Sequence, residues 1–138
     1  MTLIKTFSPH PDESGRGYYR RLSSANVMSS WKDLARHCAN RISFDALLAN
    51  PLPVALTLGL SPEWCTQATQ QDDIARTWRG LRRHRHDAVC VHCLRESAHV
   101  RTLWEHAYSV ACPAHGALLR GTCPACSEAL RYEREHIE

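Results

Sequence analysis

Three short pairs of soft ligands dominate the second half of this sequence: Cys90-Val-His-Cys93, Cys112-Pro-Ala-His115 and Cys123-Pro-Ala-Cys126. Two ligands separated by two residues reach one metal ion from a tight turn, whose backbone N–H groups also point at the thiolate sulfurs. Zinc takes four such ligands tetrahedrally, from two pairs. Isolated buried cysteines have no reason to recur at chelate spacing, so the pattern predicts a metal-braced lobe. Its arithmetic is uneven, because six ligands exceed one site and fall short of two. Cys90 and Cys93 can pair with Cys112 and His115, or with Cys123 and Cys126 as an all-cysteine set.

Other uses of cysteine fit poorly. A disulfide framework is disfavoured by the odd count of seven cysteines, by the chelate spacing and by a start, MTLIKTFSPHPDESG, without the basic and apolar regions of a secretory signal. A redox C-x-x-C opens a helix in a strand–helix pattern, whereas here the pairs come as a set with a histidine in one. Catalytic zinc keeps an open position. Nucleobase deaminases place H-x-E before P-C-x-x-C, and the H-x-E here, His136 to Glu138, follows every cysteine. Glu96 and Glu105 read as exposed helix charges. Nothing in this pattern marks an enzyme.

The chain has 138 residues, enough for one domain or two very small ones, and leans on metal for part of its stability. No apolar run is long enough to span a membrane, so the expectation is a soluble protein of a reducing compartment, a bacterial cytoplasm. Net charge is +3, from 17 Lys+Arg against 14 Asp+Glu. It is unevenly placed: Arg76, Arg79, Arg82, Arg83 and Arg85 follow one another with no acid among them. On a helix Arg76, Arg79 and Arg83 share a face, a footprint for DNA or RNA phosphates or for an acidic protein surface.

The first half reads as helices. The spacing of Tyr18, Tyr19, Leu22 and Ala25 predicts one over about Ser14 to Ala25. Ser29 or Ser30 caps a second, with Trp31, Leu34, Ala35 and Cys38 on its apolar face. A third runs from Ser43 to Ala49 and is ended by Pro51 and Pro53. Ser61, Pro62 and Glu63 open a fourth, reaching about Gln70. Further on, Val100, Leu103, Trp104 and Tyr108 fall on one helical face, and the charged tail also reads as helix. Trp104 is expected in the core over the ligand pairs, and Cys38 and Cys65 as buried apolar residues. His84, His86 and His92 are expected as bystanders.

These residues carry a resemblance. CVHCL at Cys90 to Leu94, the Arg101 to Trp104 spacing, CPAHGALL at Cys112 to Leu119, CPAC at Cys123 to Cys126 and Leu130 resemble the TniQ family of bacterial transposition proteins. PDESGRGYYRRLSSAN resembles the opening segment of that family, so the likeness covers about residues 8 to 131. It supports a mostly α fold, with an N-terminal helix-turn-helix lobe over residues 1–80 and a small zinc-finger lobe over 85–138; the two are expected to pack together through Trp64, Trp78 and Trp104. It implies a first zinc site of Cys90, Cys93, Cys112 and His115, and a second that begins with Cys123 and Cys126. In the family that second site closes on a downstream pair. Here only His136 follows, so this chain departs from the pattern, either as a naturally short member or as a fragment.

The resemblance also implies a function. TniQ proteins are adaptors, not enzymes, in choosing a target for transposition. They connect a target-recognising element, a DNA site or a guide-RNA CRISPR effector complex, to the AAA+ ATPase of the transposon, and family members can pair as homodimers. The second helix, Ser30 to Ala39, offers Lys32 and Arg36 but no Asn or Gln to read bases. The alternative is a stand-alone zinc protein that binds a specific DNA sequence itself.

Overall fold

The computed structural model describes residues 2–38, 44–76, 83 and 86–130. The described residues are mostly helical, with six α-helices and no strand, and carry a Cys/His cluster towards the C-terminus. The helices are α1 (Gly15–Ala25), α2 (Trp31–His37), α3 (Phe44–Ala49), α4 (Pro51–Leu58), α5 (Pro62–Arg76) and α6 (Val91–Glu96), followed by one 3-10 turn at Thr102–Glu105.

Helix α1 is the spine. Ser14 caps it, its hydroxyl accepting from the Gly17 N–H at 3.0 Å. Tyr18, Tyr19 and Leu22 are buried in a core shared with Leu34, Leu47, Leu48, Val54, Leu58, Cys65 and Ala68. Helix α1 packs on α2, α3 and α5, while α4 lies against α5. Ser30 caps α2, and the exposed Arg36 on that helix is paired to Asp33 at 2.7 Å. Cys38 and Cys65 are buried thiols, as the sequence reading expected. Burial pushes the Cys38 thiol up to about 11 and also raises Cys65, so both stay protonated and inert at neutral pH.

Three expectations need correction. Pro51 and Pro53 do not merely end α3; Pro51 opens α4. In a first turn the N–H that proline lacks would have had no partner anyway, so the same residue that stops one helix starts the next. Helix α5 runs past Gln70 to Arg76. The stretch from Val100 to Tyr108 is not one helical face. Val100 and Trp104 are buried, but Leu103 and Tyr108 are exposed, and only the 3-10 turn forms. Its backbone groups are already taken by the N-terminal segment: the Val100 carbonyl accepts from the Ser14 N–H, and the Thr102 N–H donates to the Asp12 carbonyl, both at 2.8 Å.

Those bonds form the seam between the helices and the Cys/His lobe. Arg20 Nη1 reaches Asp87 Oδ2 at 3.0 Å. His99 Nε2 lies 2.7 Å from Asp12 Oδ1, and Arg101 holds the other oxygen of that carboxylate at 3.2 Å. Gly17 lets the two parts touch, since a Cβ there would stand 2.9 Å from the Val100 Cβ. Among the described residues this seam is made by polar groups and glycine. Trp64 packs on the helical core and Trp104 belongs to a second core with Cys90, Cys93, Val100 and Cys112. Trp78, His84 and the charged tail lie outside the described residues.

Candidate metal centre

Cys90, Cys93, Cys112 and His115 come together, their donor atoms all within 4.8 Å of one another. Cys90 is the N-cap of α6 and Cys93 sits in its first turn, so one short helix aims both thiols the same way. Cys112 and His115 come from a tight turn. The Gly116 N–H donates to the Cys112 carbonyl and the Cys112 N–H to the Ala117 carbonyl, both at 2.8 Å. Gly116 closes that turn at φ 61°, a left-handed conformation that suits glycine.

The spacing is that of a tetrahedral centre. Metal–sulfur bonds of about 2.3 Å and a metal–nitrogen bond of about 2.05 Å give edges of about 3.8 Å between sulfurs and about 3.6 Å from sulfur to nitrogen. Here Cys93 Sγ and Cys112 Sγ are 3.5 Å apart. His115 Nδ1 lies 3.6, 3.3 and 3.5 Å from the sulfurs of Cys90, Cys93 and Cys112. This set can hold a metal ion, and it supplies four donors without leaving an open position.

Burial and hydrogen bonding shift three of these donors. Burial pushes the Cys112 thiol up, but hydrogen bonds from the His115 ring and from backbone N–H groups outweigh it and hold the thiol down at about 6. Burial and hydrogen bonding with Cys112 push Cys93 up to about 12. The hydrogen bond to Glu96, with a second to Cys112, raises His115 to about 9.

Glu96 is the functional residue that sequence reasoning missed. Its Oε1 lies 2.8 Å from His115 Nε2. It follows Cys93 by three residues on α6, so both face the same side, and it fixes the imidazole with Nδ1 towards the sulfurs. Glu105, the other acid read as an exposed charge, is buried instead.

Cys123 and Cys126 stand outside the cluster, yet their turn repeats the ligating one. The Ser127 N–H donates to the Cys123 carbonyl and the Cys123 N–H to the Glu128 carbonyl, again at 2.8 Å, with Ser127 at φ 59° where Gly116 has 61°. The flanking bridges match as well, Ala111 to Leu118 and Thr122 to Ala129. ACPAHGALL and TCPACSEAL are thus one turn used twice. Cys126 is exposed, and His136 lies outside the described residues.

Trp104 is buried beside Cys90, Cys93 and Cys112, with the Arg101 guanidinium 5.2 Å from its ring centre. His92 is exposed, its ring centre 5.4 Å from that of His115. Of the arginine run, Arg79, Arg82 and Arg85 lie outside the described residues, and of Arg76 only the backbone at the end of α5 is described. Arg83 is engaged within the chain: its Nε donates to the Trp104 carbonyl at 3.1 Å, its Nη2 to the Ser109 carbonyl, and its N–H to the Glu105 carbonyl.

No helix among the described residues is long and apolar enough to cross a membrane. No curated protein matches the chain at a significant level. The TniQ family model matches residues 5–119, a span that holds both the helices and all four residues of the cluster. This chain belongs to the TniQ family of transposition-associated proteins.

Proposed function

We propose that this protein is a zinc-braced adaptor in transposition target selection. It links a target-recognising element, a DNA site or a guide-RNA effector complex, to the AAA+ ATPase of its transposon, and carries out no reaction itself. The observation that supports this best is the family match, which takes in the helical part and the four-donor cluster as one unit. Three thiolates and an imidazole suit zinc, and a shell closed by four protein donors suits a structural ion rather than a catalytic one. Zinc bound there would hold α6 and the Cys112 turn as a rigid platform. We read Cys123 and Cys126 as the start of a second zinc site, with His136 a further ligand for it.

In this reading α1 to α3 form a helix-turn-helix used for docking. Arg76, Arg79, Arg82 and Arg85 are the arginines assigned to nucleic-acid backbone or an acidic surface, since Arg83 is committed to the Trp104 and Ser109 carbonyls. Fluorescence anisotropy of the zinc-loaded chain with duplex DNA, at low and near-physiological salt, tests the reading alongside co-sedimentation with the ATPase. The adaptor gives weak, sequence-indifferent DNA binding that salt abolishes, together with an ATPase complex. Tight, sequence-dependent binding that survives salt, with no ATPase complex, makes it a stand-alone DNA reader instead.

A further inference from the structure

Ile4, Val27 and Leu56 are the most exposed large apolar side chains among the described residues, at 95%, 94% and 82%. The start of the chain runs between the ends of the two helices that carry Leu56 and precede Val27. At α4, the Leu3 N–H donates to the Leu58 carbonyl at 3.0 Å. At α1, the Ile4 and Lys5 N–H groups donate to Asn26 Oδ1 at 3.0 and 2.9 Å, and Asn26 Nδ2 donates back to the Lys5 carbonyl at 2.9 Å. Held at both ends, the segment turns Leu3 into the core and Ile4 out into solvent.

Val27 is the anomaly at this end. Helix α1 closes with the pair of bonds that define a Schellman cap: Met28 N–H to the Ser23 carbonyl at 3.0 Å and Val27 N–H to the Ser24 carbonyl at 3.1 Å. The residue after the C-cap then takes a left-handed conformation, and Val27 has φ 57°. Glycine is the usual occupant, and a β-branched side chain is strained there. Among the described residues nothing covers Val27 to offset the strain. A residue that weakens its own fold and is almost wholly exposed is accounted for by a contact outside the chain.

The charge around it narrows the contact. Residues 2–10, 22–32 and 50–62 carry Lys5 and Lys32 and no carboxylate; the acids that follow them are Asp33, which is paired to Arg36, and Glu63. We propose that this end, with Val27 and Ile4 as anchors, docks a protein partner presenting an apolar pocket with a carboxylate facing Lys5. Phosphates gain nothing from two bare aliphatic side chains, which sets nucleic acid aside. The proposal rests on the adaptor reading and names the surface through which it acts.

The test uses the full chain, the purified AAA+ ATPase of its transposon with ATP, and vesicles of phosphatidylglycerol and phosphatidylcholine. Binding is read by biolayer interferometry and folding by thermal melts. Val27→Gly raises Tm by a few degrees yet weakens the ATPase complex about tenfold or more, the loss expected from one anchoring aliphatic contact. Ile4→Ser weakens the complex with Tm unchanged, and Lys5→Glu weakens it further at low salt. If the wild type binds and all three variants bind equally well, the docking surface is wrong and the adaptor reading stands. If the wild type does not bind the ATPase at all, the adaptor reading fails and takes this surface with it. A Val27→Gly chain with a lowered Tm removes the strain argument. Wild-type binding to vesicles that Ile4→Ser abolishes assigns the surface to lipid and overturns the protein partner.

Discussion

The Glu96 carboxylate lies 2.8 Å from Nε2 of His115, on the far side of the ring from the three thiols. It joins the helix that carries Cys93 to the turn that carries Cys112, and it selects the tautomer whose Nδ1 is free to ligate. Removing it lets the ring rotate and lowers its basicity. We expect Glu96→Ala to weaken zinc binding about tenfold to a hundredfold, and Glu96→Gln to weaken it less, since the amide oxygen still accepts from Nε2–H. Competition with a chromophoric chelator measures this. Equal affinities for wild type and Glu96→Ala would show the carboxylate to be a bystander.

The sequence carried the ligand pairs and missed this partner for one physical reason. A C-x-x-C states its chemistry locally, whereas a glutamate three residues after Cys93 looks like any solvated helix charge. Capping was equally local, and Ser30 and Ser61-Pro62 mark where α2 and α5 begin. What failed depended on distant contacts. The periodicity of Val100 and Trp104 is real burial, but the Val100 carbonyl is spent on Ser14, so no α-helix forms there. Pro51 carries the same signal whether it ends one helix or opens the next.

Gly15 shows the same dependence and gives the second prediction. In a helix, glycine to alanine ordinarily stabilises by about 1 kcal/mol. At Gly15 an added Cβ would stand 2.5 Å from the Ala68 carbonyl oxygen and 2.8 Å from Leu48 Cδ2. A backbone oxygen cannot swing aside, so α1 and α5 must separate. Gly15→Ala should therefore destabilise by about 1–3 kcal/mol despite its better propensity, seen as a lower midpoint in urea. A raised midpoint would mean that α1 and α5 do not approach this closely.

The seam should be sensitive to acid. His99 is buried, with Asp12 at one nitrogen, Ser97 Oγ 3.0 Å from the other, and the His10 ring stacked on it at 4.0 Å. Burial holds His99 below its ordinary 6.5, and the charge of Arg101 adds to this, against the hydrogen bond to Asp12. Burial raises Asp12, but the hydrogen bond from His99 and the charges of His99 and Arg101 outweigh it and leave the carboxyl below 3.8. A depressed histidine binds fewer protons folded than unfolded, so its contribution is complete above pH 6.5 and fades as pH falls towards the folded value. The Asp12 contribution persists until pH drops below about 3.8. Thermal melts with saturating zinc should show Tm falling between pH 7 and pH 5, with a flatter slope in His99→Gln. Identical slopes would place the acid sensitivity elsewhere.

Withdrawing the metal should undo one core and spare the other. Cys90, Cys93 and Cys112 are themselves core residues around Trp104 and Val100. Without an ion, these buried thiols and His115 have only weak hydrogen bonds to hold them together. The helical core contains none of these groups; Tyr18, Tyr19, Leu22, Leu34, Leu47, Leu48 and Leu58 pack mainly through apolar area. A strong chelator should therefore red-shift Trp104 emission and quicken amide exchange in residues 86–130, while α1, α4 and α5 keep their protection. A Trp104→Phe chain assigns the optical signal, because Trp31 and Trp64 pack against the other core. The polar seam sets how far the loss spreads. If Asp12, Arg20 and Gly17 hold the lobe in place, exchange at the start of α1 will quicken as well. Unchanged Trp104 emission after complete zinc removal would show that the thiols pack as ordinary apolar residues and that the metal braces nothing.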